Sequence, residues 1–148
     1  MFDAQSPAAG LPPAVLKRVF LSLGSNVEPE ANLVRAVRML GEHGRTVGVS
    51  RVRETAPLGF ADQPNFLNAA VLLESQAALE AWLEQIIPGI ERRLGRTRDP
   101  GNPHGPRTID VDVALFGDEC RTAGRRRVPD ADILTRPFLA AALAELDP

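Results

Sequence analysis

The alternation across Thr108-Ile109-Asp110-Val111-Asp112-Val113 limits this chain more than any other feature. Ile109, Val111 and Val113 are apolar, while Thr108, Asp110 and Asp112 are polar. That is the period of a strand with one buried face. Side chains at i and i+2 leave a strand on the same face, so Asp110 and Asp112 stand side by side, ~7 Å apart along the backbone. Two anions so placed repel unless a cation lies between them. Paired carboxylates with room for water suit Mg²⁺, which takes oxygen ligands and bridges to substrate phosphates. Arg107, three residues before Asp110, carries a planar fork suited to phosphate. The same spacing also fits a solvated strand face with a chance acidic pair, since short motifs recur by accident.

Patterning elsewhere predicts a first strand over 18–23, where Val19, Leu21 and Leu23 alternate with Phe20 and Ser22. A Gly24-Ser25-Asn26 turn follows. Pro29 suits the first turn of a helix whose apolar face is Leu33, Ala36, Val37 and Leu40, ended by Gly41 and Gly44. A second strand runs from Val47 to about Arg53. The stretch 55–63, with Pro57, Gly59 and Asp62, is an irregular loop. A third strand, 66–73, is apolar enough to be central. Leu79, Leu83, Ile86, Ile90 and Leu94 mark a second helix, capped by Gly95. Pro88 lies inside that pattern and predicts a kink or break. Residues 98–105 form a Gly- and Pro-rich loop before the strand with the acidic pair. A short hairpin or loop spans 120–128, and a closing helix covers most of 132–146. The order is βαββαβ, so the expected fold is α+β: a ferredoxin-like layered sandwich with an antiparallel sheet and a short C-terminal helical segment.

The chain has 148 residues, one domain by size, with 44% hydrophobic and 24% charged residues. Residues 1–17, rich in Ala and Pro without periodicity, read as a disordered or loosely packed tail, and 18–148 as the folded domain. A net charge of −2 gives no drive toward nucleic acid or anionic membrane. Lys17 is the sole lysine among seventeen Lys and Arg. The basic groups are therefore nearly all permanent, planar forks. Cys120 is the only cysteine, which excludes an internal disulfide and a cysteine zinc site. His43 and His104 lack metal-site spacing. No apolar run reaches ~18 residues and no early basic cluster marks a secretory signal. A cytoplasmic location is the expectation.

Five ordered segments resemble one family. "GPRTIDVDVALFGD" is similar to the signature of hydroxymethyl-dihydropterin pyrophosphokinases of the folate pathway. "VFLSLGSNVEPEANLVRAVRML" resembles that family's first strand, turn and helix. "ETAPLGFADQPNFLNAAVLLES" resembles its pterin-binding segment, "IERRLGR" the end of its second helix, and "VPDADILTRPFLAAALAELDP" its closing segment. The resemblance implies the same α+β sandwich, transfer of pyrophosphate from ATP to a pterin alcohol with release of AMP, and a monomer acting on small molecules. It does not imply a nucleic-acid or membrane partner. Absence of a Gly-Lys-Ser/Thr loop excludes that other kind of phosphate cradle.

The resemblance also implies roles. Asp110 and Asp112 hold two Mg²⁺ ions, with ATP as co-substrate. Arg96 and Arg107 contact the transferring phosphates, and Arg98 closes from the mobile loop. Glu91 helps hold the nucleotide, Val113 packs on adenine, and Arg125 and Arg136 lie near base and phosphates. Phe66 and Phe138 sandwich the pterin. Asn68 reads its polar edge, and Thr55, Ala56 and Leu58 supply backbone groups. By themselves the two phenylalanines would read as core. Arg92, Arg93 and Arg126 read as a solvated face.

Some positions depart from the family pattern. Asp130 stands where a histidine follows Val-Pro, exchanging a possible phosphate donor for an anion. Pro88 replaces a glutamine on the second helix, and His104 replaces a loop aromatic. These changes bear on ATP affinity and motivate a second reading, a catalytically weakened pterin- or nucleotide-binding homologue. An RNA-binding ferredoxin-like module is disfavoured, because the carboxylates on the proposed face would repel a phosphate backbone.

Overall fold

The computed structural model describes residues 15–147. Most of the expected tail, residues 1–14, lies outside the described residues. Strand β1, Lys17–Ser25, starts one residue before the periodicity suggests and ends two residues later. The turn therefore falls on Asn26, Val27 and Glu28 rather than on Gly24. Helix α1, Pro29–Leu40, buries Leu33, Ala36 and Leu40, with Pro29 in its first turn as expected.

The second strand divides into β2, Arg45–Val49, and β3, Arg53–Thr55. Both pair antiparallel with β4, Phe66–Ser75, along the same edge. β1 pairs antiparallel with β4 and with β5, Asp110–Phe116. The order β2-β4-β1-β5, with β3 beside β4, is that of a ferredoxin-like sheet.

Pro88 does not break the second helix. Leu79–Ala81 (α2) passes through a π-helical turn, Trp82–Ile86, into Ile87–Arg93 (α3). The Ile87 N–H bonds the Trp82 carbonyl five residues back. Proline lacks an N–H and its ring collides with the carbonyl four residues earlier. A single π turn just before Pro88 absorbs the extra bulk inside an otherwise continuous helix. The closing helix, by contrast, is two: α4, Asp132–Thr135, and α5, Pro137–Leu146. Arg136 between them is extended (φ −122°, ψ 97°), because the residue before a proline is pushed out of the helical region. Strands β6, Arg121–Ala123, and β7, Arg126–Val128, make the expected hairpin.

The sheet has two unlike faces. On one, Val19, Leu21, Leu23, Val71, Leu73, Val111 and Val113 pack against α1 and α3 and include the fully buried Trp82. On the other, Phe20, Ala70, Leu72 and Ala114 pack under Leu139, Ala142 and Leu143 of α5. Helix α5 covers only part of that second face. Further along the same strands, Ser22 and Gly24, Phe66 and Asn68, and Asp112 and Asp110 continue the alternation beyond the helix. They line an open cleft. A register shift at Phe20/Leu21 opposite β5 sets Ser22 against Asp112 and Gly24 against Asp110.

Candidate active site

The cleft, about 250 Å³, is lined by side chains from every quarter of the fold. β5 supplies Asp110 and Asp112, β4 supplies Phe66 and Asn68, the 56–62 loop supplies Ala56 and Leu58, and the α4–α5 junction supplies Arg136 and Phe138. Arg107 closes it from the last loop. Gly24 forms part of the floor. A Cβ there would lie 3.0 Å from the Asn68 side-chain oxygen and 3.7 Å from the Phe66 ring, so the bare backbone leaves room for both. The Asn68 amide donates to Thr55 Oγ1 (2.7 Å), which fixes its orientation.

The acidic pair is held by arginines. Arg96 Nη1 donates to Asp110 Oδ1 (3.0 Å) and to Glu91 Oε2 (2.6 Å). Arg107 Nη1 approaches Asp110 Oδ2 at 4.0 Å. Asp112 faces Arg126 Nη2 at 3.0 Å. Even so, the Asp112 carboxyl is pushed up to about 7, first by burial and then by the neighbouring Asp110 charge, with Asp130 and Glu91 adding to it. Burial and a like-charged neighbour thus oppose the ionisation of Asp112, and a cation bound beside it would favour the charged form.

Glu91 is buried, and its carboxylate is taken up from inside. It accepts from Arg96 and from the Val111 N–H (3.1 Å), tying α3 to β5. Burial, partly offset by Arg96, raises its pKa above the ordinary carboxylate value. Arg98 lies 3.6 Å from its second oxygen and is well exposed. Arg96, Arg98 and Arg107 together line a second cavity of about 260 Å³ within the 96–107 loop, sharing Arg107 with the first.

Both pterin-stacking candidates carry a cation. The Arg107 guanidinium lies 5.7 Å from the Phe66 ring centre, and Arg136 lies 4.6 Å from that of Phe138. Such contacts are worth ~0.5–1 kcal/mol when exposed. A flat ligand stacking there would exchange with them.

Two residues that the sequence reading did not single out as functional organise the loops. The Asn26 side-chain oxygen accepts from the Arg107 N–H (2.8 Å), and its amide donates to Gln63 Oε1 (2.8 Å) and the Pro64 carbonyl (3.0 Å). Gln63 Nε2 donates to the carbonyls of Phe60 and His104, both at 2.6 Å. His104 in turn packs on Gly59, where a Cβ would come within 2.7 Å of its ring. One amide chain thus joins the end of β1, the 56–64 loop and the 98–107 loop. The clue in the sequence was Asn26 directly after β1, though Gln63 carried no signal.

The expected residues divide as follows. Ala56, Leu58, Phe66, Asn68, Arg107, Asp110, Asp112, Arg136 and Phe138 meet in one cleft. Arg96 joins them through Asp110, Glu91 through Arg96, Arg98 through Glu91, and Thr55 through Asn68. Val113 does not: its side chain is buried in the core under the helices, because it is one residue out of phase with Asp112. Arg125 lines a separate groove with Glu80 and Glu84. Arg126, expected on a solvated face, is the cation at Asp112. Asp130 and Asp132 also line the cleft and add to its acidity.

The fold and cleft define a ferredoxin-like protein with a charged, ring-lined pocket on its open sheet face. Residues 20–148 match the 7,8-dihydro-6-hydroxymethylpterin-pyrophosphokinase (HPPK) profile, and the chain belongs to that family. It is 36% identical to the 2-amino-4-hydroxy-6-hydroxymethyldihydropteridine pyrophosphokinase of Pseudomonas aeruginosa, covering 90% of this chain and 83% of that one. Identity to the Bacillus subtilis protein of the same name is 38%, over 86% and 76% of the two chains. A folate synthesis bifunctional protein of Arabidopsis thaliana is 32% identical over 88% of this chain and 27% of its own. Among solved structures, Plasmodium falciparum HPPK-DHPS with pterin and p-hydroxybenzoate superposes with a TM-score of 0.53 at 13% identity. That likeness concerns the fold, and covers 91% of this chain and 33% of the longer one.

Proposed function

We propose that this protein transfers the pyrophosphate of ATP to the hydroxymethyl group of 6-hydroxymethyl-7,8-dihydropterin, releasing AMP, as a step of folate synthesis. The relatives in Pseudomonas aeruginosa and Bacillus subtilis are named for this pyrophosphokinase. The observation that carries the reading is the meeting, in one cleft, of an arginine-flanked carboxylate pair with two phenylalanines and an oriented amide.

In this reading the pterin lies between Phe66 and Phe138, displacing the arginines from the ring faces. Offset stacking adds roughly 1 kcal/mol per ring beyond burial. Asn68, its amide fixed by Thr55, reads the pterin edge, and Ala56 and Leu58 close over it with backbone groups. Arg96, Arg98 and Arg107 hold the triphosphate, and Arg136, freed from Phe138, joins them. Val113, with its side chain in the core, can offer adenine only its backbone. Arg125 reaches the nucleotide only if the hairpin turns toward it.

Asp110 and Asp112 suit Mg²⁺: two oxygen-donor side chains share one face of β5 and both open into the cleft. Asp110 and Asp112 would hold two such ions, which would supply positive charge to the phosphates and Lewis-acid activation of the hydroxyl. The pterin oxygen bonds to the β-phosphorus as the bridge to the α-phosphate breaks, AMP leaves, and the hydroxyl proton passes to solvent. Among the described residues no helix is long and apolar enough to cross a membrane. A cytoplasmic monomer is the expectation that goes with this reading.

Incubation with ATP, Mg²⁺ and the hydroxymethyl-dihydropterin should yield AMP and a pterin pyrophosphate. ADP or inorganic phosphate as the main nucleotide product would overturn the assignment. Tight binding of both substrates without turnover would favour the weakened homologue.

A further inference from the structure

Arg126 is the residue whose place the sequence did not foretell. It opens β7 opposite Ala123, on a hairpin that leans on β5. From there Nη2 reaches Asp112 Oδ1 at 3.0 Å. The two carboxylates of the pair are balanced in different ways. Asp110 is held by Arg96, whose side chain is 10% exposed and locked between Glu91 and Asp110. Asp112 is held by Arg126, which is 61% exposed and makes this one ion pair. Arg126 is held by one largely solvated contact, so it is free to leave when another cation takes over the mostly buried Asp112, whereas Arg96 is locked between two carboxylates.

We propose that Arg126 is a displaceable counter-ion: it occupies Asp112 when no nucleotide is present and moves to the polyphosphate when a metal–nucleotide complex arrives. This rests on the pyrophosphokinase reading of the cleft. A guanidinium and a divalent ion at the same carboxylate repel each other and compete for its charge, so Arg126 opposes the binding of bare metal. Once off Asp112, the same guanidinium, on the hairpin where it also borders the groove of Glu80 and Glu84, is a planar fork matched to phosphate oxygens. It therefore opposes metal alone and favours metal that comes with phosphate. Arg126 acts through Asp112 and is a positioning residue for the metal site.

The consequence is a pair of effects of opposite sign, which loss of folding would not produce, and which the loss of a distant, solvent-screened positive charge would produce only in a much smaller measure. Mn²⁺ serves as the probe, titrated alone and then with α,β-methylene-ATP, and followed by electron paramagnetic resonance and calorimetry. Arg126→Gln should bind Mn²⁺ alone about threefold more tightly than the unaltered protein. It should bind the Mn²⁺–nucleotide complex about threefold or more weakly, the range expected for one exposed charge contact. Arg126→Lys should keep both affinities nearer the starting values. Arg93→Gln controls for net charge, since Arg93 pairs with Glu42 at an exposed site outside the cleft, and it should show no opposed pair of effects. Thermal unfolding of each variant establishes that it is folded. If Arg126→Gln shifts both affinities in the same direction, or neither, the counter-ion role is wrong. Neither readout needs turnover. Failure here with AMP still formed would leave the enzyme assignment intact, while absence of AMP from the unaltered protein would refute that assignment on its own.

Discussion

Glu91 and Arg96 form a 2.6 Å ion pair at the end of α3, with both side chains about one-tenth exposed. The same carboxylate oxygen accepts the Val111 N–H of β5. One buried acid thus fixes the height of an active-site arginine above the sheet and the strand that carries Asp110 and Asp112. In the proposed reading, any contribution of Glu91 to nucleotide handling runs through Arg96.

Glu91→Ala should cost stability as well as activity. It strands a buried N–H, which costs ~1–3 kcal/mol, and removes one partner of a buried ion pair. Arg96 keeps Asp110, so the total should be about 2–4 kcal/mol rather than the sum of both extremes. Urea denaturation measures it. A loss below ~0.5 kcal/mol would mean that the pair does not organise this end of the sheet.

Asp110→Ala and Asp112→Ala should each remove most turnover while the fold survives. Losing a metal-binding carboxylate should raise the barrier by ~3–5 kcal/mol, or about two to four decades in rate. Neither side chain packs in the core, so circular dichroism should be unchanged. Near-normal turnover at saturating Mg²⁺ in either variant would remove these residues from the mechanism.

Asp112 also predicts a pH dependence. Its carboxyl is raised to about 7 from an ordinary 3.8, by burial first and by Asp110 second. Between those values the folded protein holds a proton that the unfolded chain has lost. By linkage, stability without divalent cation should then fall as pH rises from about 4 through about 7. Asp112→Asn cannot ionise, so it should gain on the unaltered protein at pH 8 and much less at pH 4. Adding Mg²⁺ at pH 8 should narrow the gap. Denaturation midpoints at the two pH values decide it: an equal difference at both would sink the claim.

The elements that the sequence made plain were those set by period and punctuation. The strand of Asp110 and Asp112 was legible because alternation fixes which side chains share a face. The same rule places the Val113 side chain in the core, whereas the resemblance implied packing on adenine. Pro88 was visible as a conflict but not its resolution, since a π turn depends on how Trp82 and Ile87 pack rather than on local propensity. Pro137 divided the closing helix by a local rule that was available and not applied. Arg126 could not have been placed from sequence: three consecutive arginines on a hairpin differ only in which face the turn gives each one. Gln63 is similar, because its hydrogen bonds go to backbone groups three and 41 residues away.

The loops 56–62 and 98–105 should open and close together. Their Gly and Pro content keeps them out of regular structure, and the Gln63 amide bonds Phe60 in one and His104 in the other. Arg98, exposed and 3.6 Å from Glu91, must travel to reach a phosphate. Closure would exclude water and complete the clamp formed with Arg96 and Arg107. Amide exchange should then slow in both loops when an ATP analogue and pterin are bound together. In Gln63→Ala the two loops should lose that joint response. Arg96→Ala should lower turnover more than it weakens pterin binding, because its contact tightens on the transferring group rather than on the ring. Equal protection of both loops with and without the two ligands would show that no closure takes place, whatever the nucleotide product proves to be.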